Sequence, residues 1–493
     1  MPRRITLAAV IAVLTCLPVA AQEPDSLFIG IHQAESQYYS GVFDTASLRS
    51  IASPGTPVTL KSRKEGEPAF LVYGWHPYWA SDTAFLHYDY SVLTHIAYFS
   101  YEVDTETGSY TTLRGWDITP VIDYAHQQGV KVMLTVTNFG SDRNIALLTD
   151  TVKQRHLINT LIYQLKMRNG DGVNFDFESV PASMKANMVS FCRRAVRGIK
   201  AELPQAEISL ATPAVNWSDA WDLNALADIC DYLIMMGYNY YWSGSTTAGP
   251  VAPLRGENYN ITRSIQEDYL DAGVPASRLL LGMPWYGYDW PVSSSFRKAG
   301  TTGTGSSRTY IATIPMVNAN GKAFDNDTGV PWMSYQNDTR WRQMWFEDSL
   351  SLLLKTDLAK KRGLAGVGIW ALSYEAGRPE LWNGMKAAIA GTVSSEVIRL
   401  LPGTDVSRII SITPNPATDM ARISFSIAKP GRMTLTLYDT GGRLVSLITE
   451  EMAYPGIRNE TINAGTLPPG IYLCVLTTQD GRHTAKFAVA GNN

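Results

Sequence analysis

The chain of 493 residues has few cysteines, no excess of either charge and, after its first residues, no long uncharged apolar run. Its four cysteines show no CxxC spacing, and once Cys16 is set aside with the N-terminal apolar run, Cys192, Cys230 and Cys474 remain. This excludes a disulfide framework and gives no indication of a zinc site, although a single Cys192–Cys230 pair stays open. The formal charge of −3 provides no basic surface for nucleic acid. We therefore expect no metal, no cofactor and no nucleic-acid partner.

The first 21 residues have the composition of a secretory signal. Arg3 and Arg4 precede an apolar run over 5–17, and small residues follow at 19–21. The run is shorter than the ~20 residues of a membrane-spanning helix, so we predict no membrane span. A lipoprotein anchored through Cys16 is the weaker interpretation, because Thr15 precedes that cysteine. We expect a mature chain from near Gln22 and an N-terminal leader over 22–68, to which no function is assigned.

From residue 69 to 392, short apolar runs alternate with helical patterns, as in βαβ units with a parallel sheet. Helical patterns cover 118–126, 152–168, 182–202 and 348–362. The predicted strands are 70–75, 94–101, 130–137, 172–178, 208–214, 232–238, 279–286 and 366–372. Eight such strands predict an α/β fold, a (β/α)8 TIM barrel. A stretch from 292 to about 340, rich in Gly, Ser, Thr and Asn, predicts a small β-rich insertion before the last strand.

After residue 392 the pattern changes to short alternating strands separated by Pro, Gly and Asp, which predicts a linker over 393–410 and a C-terminal β-sandwich over 411–493. An accessory carbohydrate-binding sandwich would fit that pattern. The segments at 413–417, 433–439, 441–444 and 467–472, however, resemble the C-terminal sorting domain of the type IX secretion system. That resemblance implies that the secretion machinery is a partner, with export through the periplasm to a secreted or cell-surface-attached state.

The run DGVNFDFE carries the acidic chemistry. In a strand, alternation places Asn174, Asp176 and Glu178 on one face and apolar side chains on the other. An isolated D-x-E often marks a solvated face, but the apolar neighbours favour a buried strand whose polar face points into the barrel. Two buried carboxylates must couple, so that one pKa rises and that acid can protonate a glycosidic oxygen. Glu178, at the carboxyl end where barrel enzymes carry their sites, is the expected acid.

This strand resembles the DGxDxDxE signature of the chitinase family, glycoside hydrolase family 18, with Asp171, Gly172, Asp176 and Glu178 in family positions and Asn174 where an aspartate is usual. The resemblance covers about 70–390. Further segments that agree in order are YGW at 73–75, THIAYF at 94–99, KVML at 131–134, ATPA at 211–214, MGYN at 236–239, LGMPWYG at 281–287 and GIWA at 368–371.

The resemblance implies retaining, substrate-assisted catalysis, in which the 2-acetamido oxygen of the sugar attacks the anomeric carbon. It implies that Glu178 acts as acid and then base, that Asp176 orients the acetamide N–H, and that Tyr238 donates its hydroxyl to the acetamide carbonyl. Asn174 and Asp171 are expected to support this machinery. The residues expected to line the substrate are Trp370, Met236, Asn239, Trp75, Tyr98, Trp285 and Tyr286. From the residues alone, Trp370 and Met236 could equally fill the barrel.

The chain contains 13 Trp and 25 Tyr, and several stand at or beyond predicted strand ends, where rings can stack on successive sugars. Trp79, Trp242 and Trp290 join the stacking candidates. Their number favours a polymeric or oligomeric N-acetylglucosamine glycan, such as chitin or chito-oligosaccharides. Peptidoglycan and the N-glycan core stay open, because the stretch at 341–372 resembles spore-cortex-type members of the family. A non-catalytic lectin is the third alternative, and the presence of Glu178 favours an enzyme.

Asn174 is the departure from the family signature. An amide cannot share or relay a proton as a carboxyl can, so the orientation of Asp176 would depend on one hydrogen bond. We therefore expect activity to survive with an altered pH profile.

Overall fold

A computed structural model describes residues 29–41, 57–61, 70–391, 407–429, 431–453 and 456–491. The predicted signal at 1–21 and most of the predicted linker lie outside the described residues. Within the described residues, no helix is both long and apolar enough to cross a bilayer.

Eight parallel strands form a closed barrel, in the order β1-β14-β8-β7-β6-β5-β4-β2, with β1 pairing to β2 to complete the circle. The barrel strands are β1 (Leu71–Pro77), β2 (His95–Val103), β4 (Lys131–Phe139), β5 (Gly172–Glu178), β6 (Glu207–Pro213), β7 (Tyr232–Met236), β8 (Leu279–Pro284) and β14 (Gly366–Trp370). A short strand, β3 (Tyr110–Thr112), adds to β2 in antiparallel pairing. The predicted α/β barrel is confirmed, and β5 has the predicted bounds.

The helices surround this barrel, apart from the first and from the eighth, which packs on the β-rich insertion. They are α1 (Ile31–Ser40), α2 (Val121–Gln127), α3 (Ser141–Leu148), α4 (Thr151–Arg168), α5 (Lys185–Glu202), α6 (Leu223–Ile229), α7 (Ile261–Arg263), α8 (Tyr310–Asn320), α9 (Ser349–Lys361) and α10 (Glu380–Ala390). Single turns occupy Ala84–His87, Ala182–Met184, Ala276–Arg278 and Ala464–Thr466, and a π-helical turn, Ser264–Leu270, continues α7. The long helix α4 is capped at its N-terminus by Asp150, whose carboxylate accepts hydrogen bonds from the first-turn amides. At its C-terminus it is capped by Asn169, which has a left-handed backbone conformation.

The β-rich insertion is larger than the sequence predicts. A five-stranded sheet runs in the order β10-β9-β13-β12-β11. Its strands are β9 (Tyr286–Pro291), β10 (Ser306–Thr309), β11 (Ala323–Asp325), β12 (Val330–Asn337) and β13 (Arg340–Trp345). The apolar run over 279–286 therefore divides at Trp285 between a barrel strand and the inserted sheet, a division that hydrophobicity cannot reveal.

The C-terminal region consists of two antiparallel sheets, β15-β16-β19 and β18-β17-β20-β21. The strands are β15 (Arg408–Thr413), β16 (Met420–Ile427), β17 (Gly431–Asp439), β18 (Leu444–Ala453), β19 (Gly456–Asn463), β20 (Gly470–Thr478) and β21 (Gly481–Val489). Phe425 of one sheet and Leu435, Leu437 and Phe487 of the other share one buried core. Two sheets over one core form the predicted β-sandwich.

Cys192, Cys230 and Cys474 are buried and free. The thiols of Cys192 and Cys230 interact, and this contact together with burial raises the pKa of the Cys192 thiol well above its ordinary value. The pair left open by the sequence is thus two neighbouring thiols rather than a disulfide.

A buried ion pair joins the end of the inserted sheet to α9. The Lys355 ammonium donates to Glu347 at 2.6 Å, and both side chains are almost fully buried. Because removing one member leaves the other charge unpaired, we expect Lys355→Met to lower the free energy of unfolding by about 3 kcal/mol. Lys361→Met is the matched control, since that side chain on the same helix is 62% exposed. Urea unfolding measures both, and equal losses would contradict a special role for the pair.

Candidate active site

The site is built on β5, whose alternating side chains point in opposite directions. Phe175 and Phe177 face outward and pack against Phe191 of α5. Asn174, Asp176 and Glu178 are buried on the other face, inside the barrel. The backbone carbonyl of Glu178, at the carboxyl end of the strand, accepts hydrogen bonds from the Gly140 amide and the Asn144 side chain. The acid-bearing end of β5 is therefore fixed to the loop and helix that follow β4.

Asn174 is held on both sides of its amide group. Trp75 Nε1 donates to Asn174 Oδ1 at 2.9 Å, and Asn174 Nδ2 donates to Ser209 Oγ at 2.9 Å. These bonds use the amide as acceptor and donor at once, an arrangement that an ionised carboxylate cannot reproduce. Asn174 thus orients Trp75 in the barrel floor.

The first helix enters the mouth of the barrel and contacts the acids. His32 Nδ1 lies 2.7 Å from Asp176 Oδ2 and 3.5 Å from Glu178 Oε1. Its other ring nitrogen lies 2.8 Å from the Tyr238 hydroxyl. The imidazole stacks on Trp370 with ring centroids 3.6 Å apart. One histidine from the leader therefore fills the space bounded by Asp176, Tyr238 and the Trp370 ring.

Glu35, one turn further along α1, is also buried at this site. Its carboxylate accepts hydrogen bonds from Trp370 Nε1 at 2.9 Å and from the Tyr374 hydroxyl at 2.6 Å. Tyr39 stacks on Trp79 with ring centroids 4.7 Å apart. At the start of the helix, a Cβ placed on Gly30 would overlap Glu178 Oε2, so glycine permits the backbone to lie against the acid.

Burial sets the electrostatics of the acid pair. Loss of solvation, followed by repulsion from Asp176, raises the pKa of Glu178 well above its ordinary value. Burial likewise raises the pKa of the Tyr238 phenol, which therefore remains a hydrogen-bond donor. Glu178 thus retains a proton at pH values where an exposed glutamate has lost it, as a general acid requires.

His32, Asp176 and Glu178 also satisfy the simplest geometric condition for a metal site, with one ligand atom from each lying within 4.8 Å of the others. The short direct contact between His32 and Asp176 already joins two of these groups without an ion.

Six of the residues predicted from the sequence meet around one space: Asn174, Asp176, Glu178, Tyr238, Trp75 and Trp370. Asn239 and Tyr286 lie beside it, since the Tyr286 hydroxyl donates to Asn239 Oδ1 at 2.6 Å and its ring packs edge-on against Tyr238. Met236 ends β7, two residues before Tyr238.

Three predicted residues lie elsewhere. Asp171 is at the opposite end of β5, where its carboxylate bonds His126 and the Val132 amide. Tyr98 is on the outer face of β2, packed against Trp116 and donating to the Arg114 carbonyl. Trp285 is buried against Trp382, on α10. None of the three is placed to contact a sugar in the barrel, because each points away from the interior.

Trp290 and Trp242, two of the residues predicted to stack on sugars, lie in or beside the inserted sheet. Trp290 is fully buried and donates to the Trp242 carbonyl, so its ring is not available at the surface. Trp79 is the stacking candidate that stands at the mouth, where α1 covers it.

Sequence reasoning missed four residues of the site: His32, Glu35, Phe99 and Tyr374. Phe99 contacts both His32 and Trp370, because β2 turns Phe99 inward and Tyr98 outward. Tyr98, predicted from the sequence as a substrate-lining residue, faces the opposite side of the strand, because neighbouring residues in a strand alternate. His32 and Glu35 lie in the leader. Their spacing is that of one helical turn, which occurs in any short surface helix and does not mark a site.

The fold and the acid strand define a glycoside hydrolase of the (β/α)8 class. The family described as Glycosyl hydrolases family 18 matches residues 70–375, and the chain belongs to that family. The description Secretion system C-terminal sorting domain matches residues 411–490. Both resemblances predicted from the sequence are confirmed.

Curated relatives are distant in sequence. The cortical fragment-lytic enzyme of Bacillus subtilis is 25% identical over 59% of this chain and 66% of its own length, just under two thirds. The di-N-acetylchitobiase of Rattus norvegicus is 26% identical over 57% of this chain and 77% of its own.

Solved structures share the fold. A family 18 chitinase from Cycas revoluta in complex with (GlcNAc)3 has a TM-score of 0.57 and 19% identity, covering 66% of this chain and 99% of its own. A chitinase from Chromobacterium violaceum has a TM-score of 0.55 and 22% identity, covering 65% of this chain and 99% of its own.

Burial raises the pKa of Glu35 to about 7, with the hydrogen bonds from Tyr374 and Trp370 opposing that rise. A raised carboxyl pKa means that the docked helix binds the proton more tightly than the free helix. Docking of α1 should therefore be strongest below about pH 4.5 and weaken until about pH 7. Hydrogen exchange of the α1 amides, corrected for intrinsic rates, measures this dependence.

Glu35→Gln is the matched variant, because it keeps the shape of the side chain without the ionisation. The other groups that face Glu35 are phenols, and burial raises their pKa values above the ordinary value of tyrosine. They belong to Tyr39, Tyr238, Tyr286, Tyr288 and Tyr374. They stay neutral in this interval, while Asp176 and Glu178 lie beside His32 at the other end of the contact. If Glu35→Gln leaves the pH dependence of α1 docking unchanged, that dependence arises from the contact of His32 with Asp176 and Glu178 instead.

Proposed function

We propose that this chain is an exported, retaining glycoside hydrolase that cleaves β-1,4 bonds in glycans containing N-acetylglucosamine. The observation that carries the proposal is the convergence of Asp176, Glu178 and Tyr238 on one space above the Trp370 ring. This set offers an acid, an acceptor for an amide N–H, a hydroxyl donor and an apolar floor. An acetamido sugar requires all four.

The reaction begins with proton transfer from Glu178 to the glycosidic oxygen, while the acetamide carbonyl oxygen of the substrate attacks the anomeric carbon. The bond to the leaving sugar breaks, and a cyclic oxazolinium ion forms. Asp176 accepts a hydrogen bond from the acetamide N–H and balances the positive charge, and Tyr238 donates a hydrogen bond to the acetamide oxygen. Glu178, now ionised, takes a proton from water as the water oxygen bonds to the anomeric carbon. The bond between that carbon and the acetamide oxygen breaks, which restores the acetamide and gives overall retention.

Chitin or chito-oligosaccharides are the proposed substrates. A chitinase of the same fold is seen with (GlcNAc)3, and di-N-acetylchitobiase is among the curated relatives. Trp217 and Tyr259 form an exposed aromatic pair, with centroids 4.2 Å apart, in the loops that follow β6 and β7. Those loops lie at the carboxyl ends of the strands, so the pair can contact sugars beyond the central pocket and supports an oligomeric substrate.

Peptidoglycan or N-glycan hydrolysis by an endo-β-N-acetylglucosaminidase is the second candidate. It is favoured by the similarity to the cortical fragment-lytic enzyme of Bacillus subtilis. A non-catalytic glycan-binding lectin fits less well, because Glu178 retains both its position and its raised pKa.

The sorting domain indicates export by the type IX route. We infer that the protein crosses the periplasm and is released or attached at the cell surface, where glycan polymers are accessible. The secretion machinery would be its partner during that passage.

We expect Glu178→Gln to lower kcat by at least about a hundredfold, since general acid catalysis contributes that much or more. The measurement is reducing-end release from chitotetraose, peptidoglycan and a high-mannose glycopeptide. It is made in the unmodified chain and in a His32→Ala background, because His32 fills the pocket. Glu202→Gln, which changes an exposed acid on α5, is the control. Equal activity of Glu178→Gln and its parent would refute the assignment of the acid.

Asn174→Asp should shift the pH profile without abolishing activity. A carboxylate two residues before Asp176 adds negative charge to the inner face of β5, which raises the pKa of Glu178 further. The basic limb, where Glu178 loses its proton, should move upward by roughly one pH unit. Ser209→Ala is the control, since it removes the hydrogen-bond partner of Asn174 without changing the charge. If neither limb of the pH–rate profile moves in Asn174→Asp, the charge at position 174 is not coupled to the ionisation of Glu178.

A further inference from the structure

The N-terminal helix α1 occupies the mouth of the barrel at the place where a glycan must bind. Two of its side chains contact residues that the proposed reaction uses or rings beside them. His32 contacts Asp176, Tyr238 and Trp370, and Glu35 contacts Trp370 and Tyr374. The helix is thus bound to the catalytic centre itself rather than to a neutral part of the surface.

His32 takes the place of a sugar ring in detail. Its flat imidazole stacks on Trp370, while its two ring nitrogens meet the carboxylate of Asp176 and the hydroxyl of Tyr238. Those are the two groups assigned to the acetamide of the substrate. A bound sugar and His32 therefore require the same ring face and the same hydrogen-bonding atoms, so their binding is mutually exclusive.

Two further contacts extend the obstruction along the cleft. The Gly30 backbone lies against Glu178 Oε2, which blocks the approach of a glycosidic oxygen to that carboxyl oxygen. Tyr39 stacks almost parallel on Trp79, with an interplanar angle of 10°. Trp79 lies 6.3 Å from Trp370, so α1 covers two neighbouring aromatic surfaces with two rings of its own.

The helix has little stability apart from these contacts. It contains 10 residues, its N-cap is Gly30, and no side chain caps its first turn. Helices shorter than about 12 residues are marginal in water, so the contacts with the pocket must hold α1 in its helical form. Attachment to the same chain replaces a bimolecular binding step, with an effective concentration on the order of millimolar. Docking can therefore be strong and still reversible.

We propose that residues 29–41 are an intramolecular competitive inhibitor that keeps the exported enzyme inactive until the segment is displaced or removed. The inference rests on the proposed function, since it assigns to the helix the subsite of the acetamido sugar. The predicted signal ends before residue 22, so its removal leaves the inhibitory segment on the mature chain.

The sharpest test changes only the helix. Gly30→Ala places a methyl group against the Glu178 carboxylate and should displace the segment without removing any group from the barrel. Gly41→Ala is the matched control, because a Cβ there meets nothing nearer than the Tyr38 carbonyl oxygen at 4.0 Å. On chitotetraose we expect kcat/KM of Gly30→Ala to rise roughly 10-fold to 100-fold over the unmodified chain, with Gly41→Ala within about twofold.

A second pair of variants tests the sugar-like contact of His32. His32→Ala should activate the enzyme to a similar extent, whereas Gln37→Ala, on the exposed side of the same helix, should not. A synthetic peptide of residues 29–41 should raise KM of the Gly30→Ala enzyme without lowering kcat, and the same peptide with His32→Ala should have no effect. EDTA should not change the activity of the unmodified chain, because direct contacts hold the helix.

The outcomes separate the two proposals. Equal kcat/KM in the unmodified chain, Gly30→Ala and His32→Ala, with activity present, would overturn the inhibitor while leaving the hydrolase intact. If neither the unmodified chain nor either variant cleaves any N-acetylglucosamine glycan, the proposed function fails. Hydrogen exchange then decides whether α1 occludes the pocket. Protected α1 amides in the unmodified chain that lose protection in Gly30→Ala would uphold occlusion of the pocket, and unprotected amides in both would refute it.

Discussion

The burial of two carboxylates on one face of β5 is the constraint on which this site depends. Strand alternation sends Phe175 and Phe177 under the helices and Asp176 and Glu178 into a closed barrel, where few water molecules can solvate a charge. Loss of solvation and repulsion from Asp176 raise the pKa of Glu178 well above its ordinary value, which suits its proposed role as proton donor. The rest of the site consists of groups that satisfy, orient or cover this pair.

Asn174 illustrates how the floor is built around that pair. A third carboxylate on the same face would add repulsion, whereas the amide accepts a hydrogen bond from Trp75 and donates one to Ser209. The Trp75 ring is consequently fixed 6.1 Å from Trp370, and the two indoles form a rigid apolar floor beneath the acids. The departure from the family signature thus exchanges a titratable group for an orienting one.

The sequence predicts best the features that depend on local pattern. The bounds of β5 follow from strict alternation and from glycine at its start, where a side chain would overlap the backbone of β6. Prediction from sequence fails where a shift of one residue in strand register, or a contact between distant parts of the chain, determines which side chains face the site. Tyr98 and Phe99 are neighbouring large aromatic residues, so composition alone does not distinguish which of them faces the barrel interior, and the register of β2 against β4 is irregular just beyond Phe99. Trp285 lies at the junction of two sheets, which no local signal marks.

The position of α1 could not be predicted at all, because His32 meets Asp176 across 144 residues of sequence. Its contacts also explain how a glycan could displace it. Asp176 Oδ1 and Glu178 Oε1 have no hydrogen-bond partner among the described residues, even with the helix in place. An acetamide N–H would donate to Asp176, and a glycosidic oxygen would accept from protonated Glu178, so that a glycan satisfies groups that imidazole leaves unpaired. An unpaired buried polar group is costly. The inhibitor therefore matches the stacking surface of the site but not its full hydrogen-bonding capacity, which gives a longer glycan an advantage over the tethered helix.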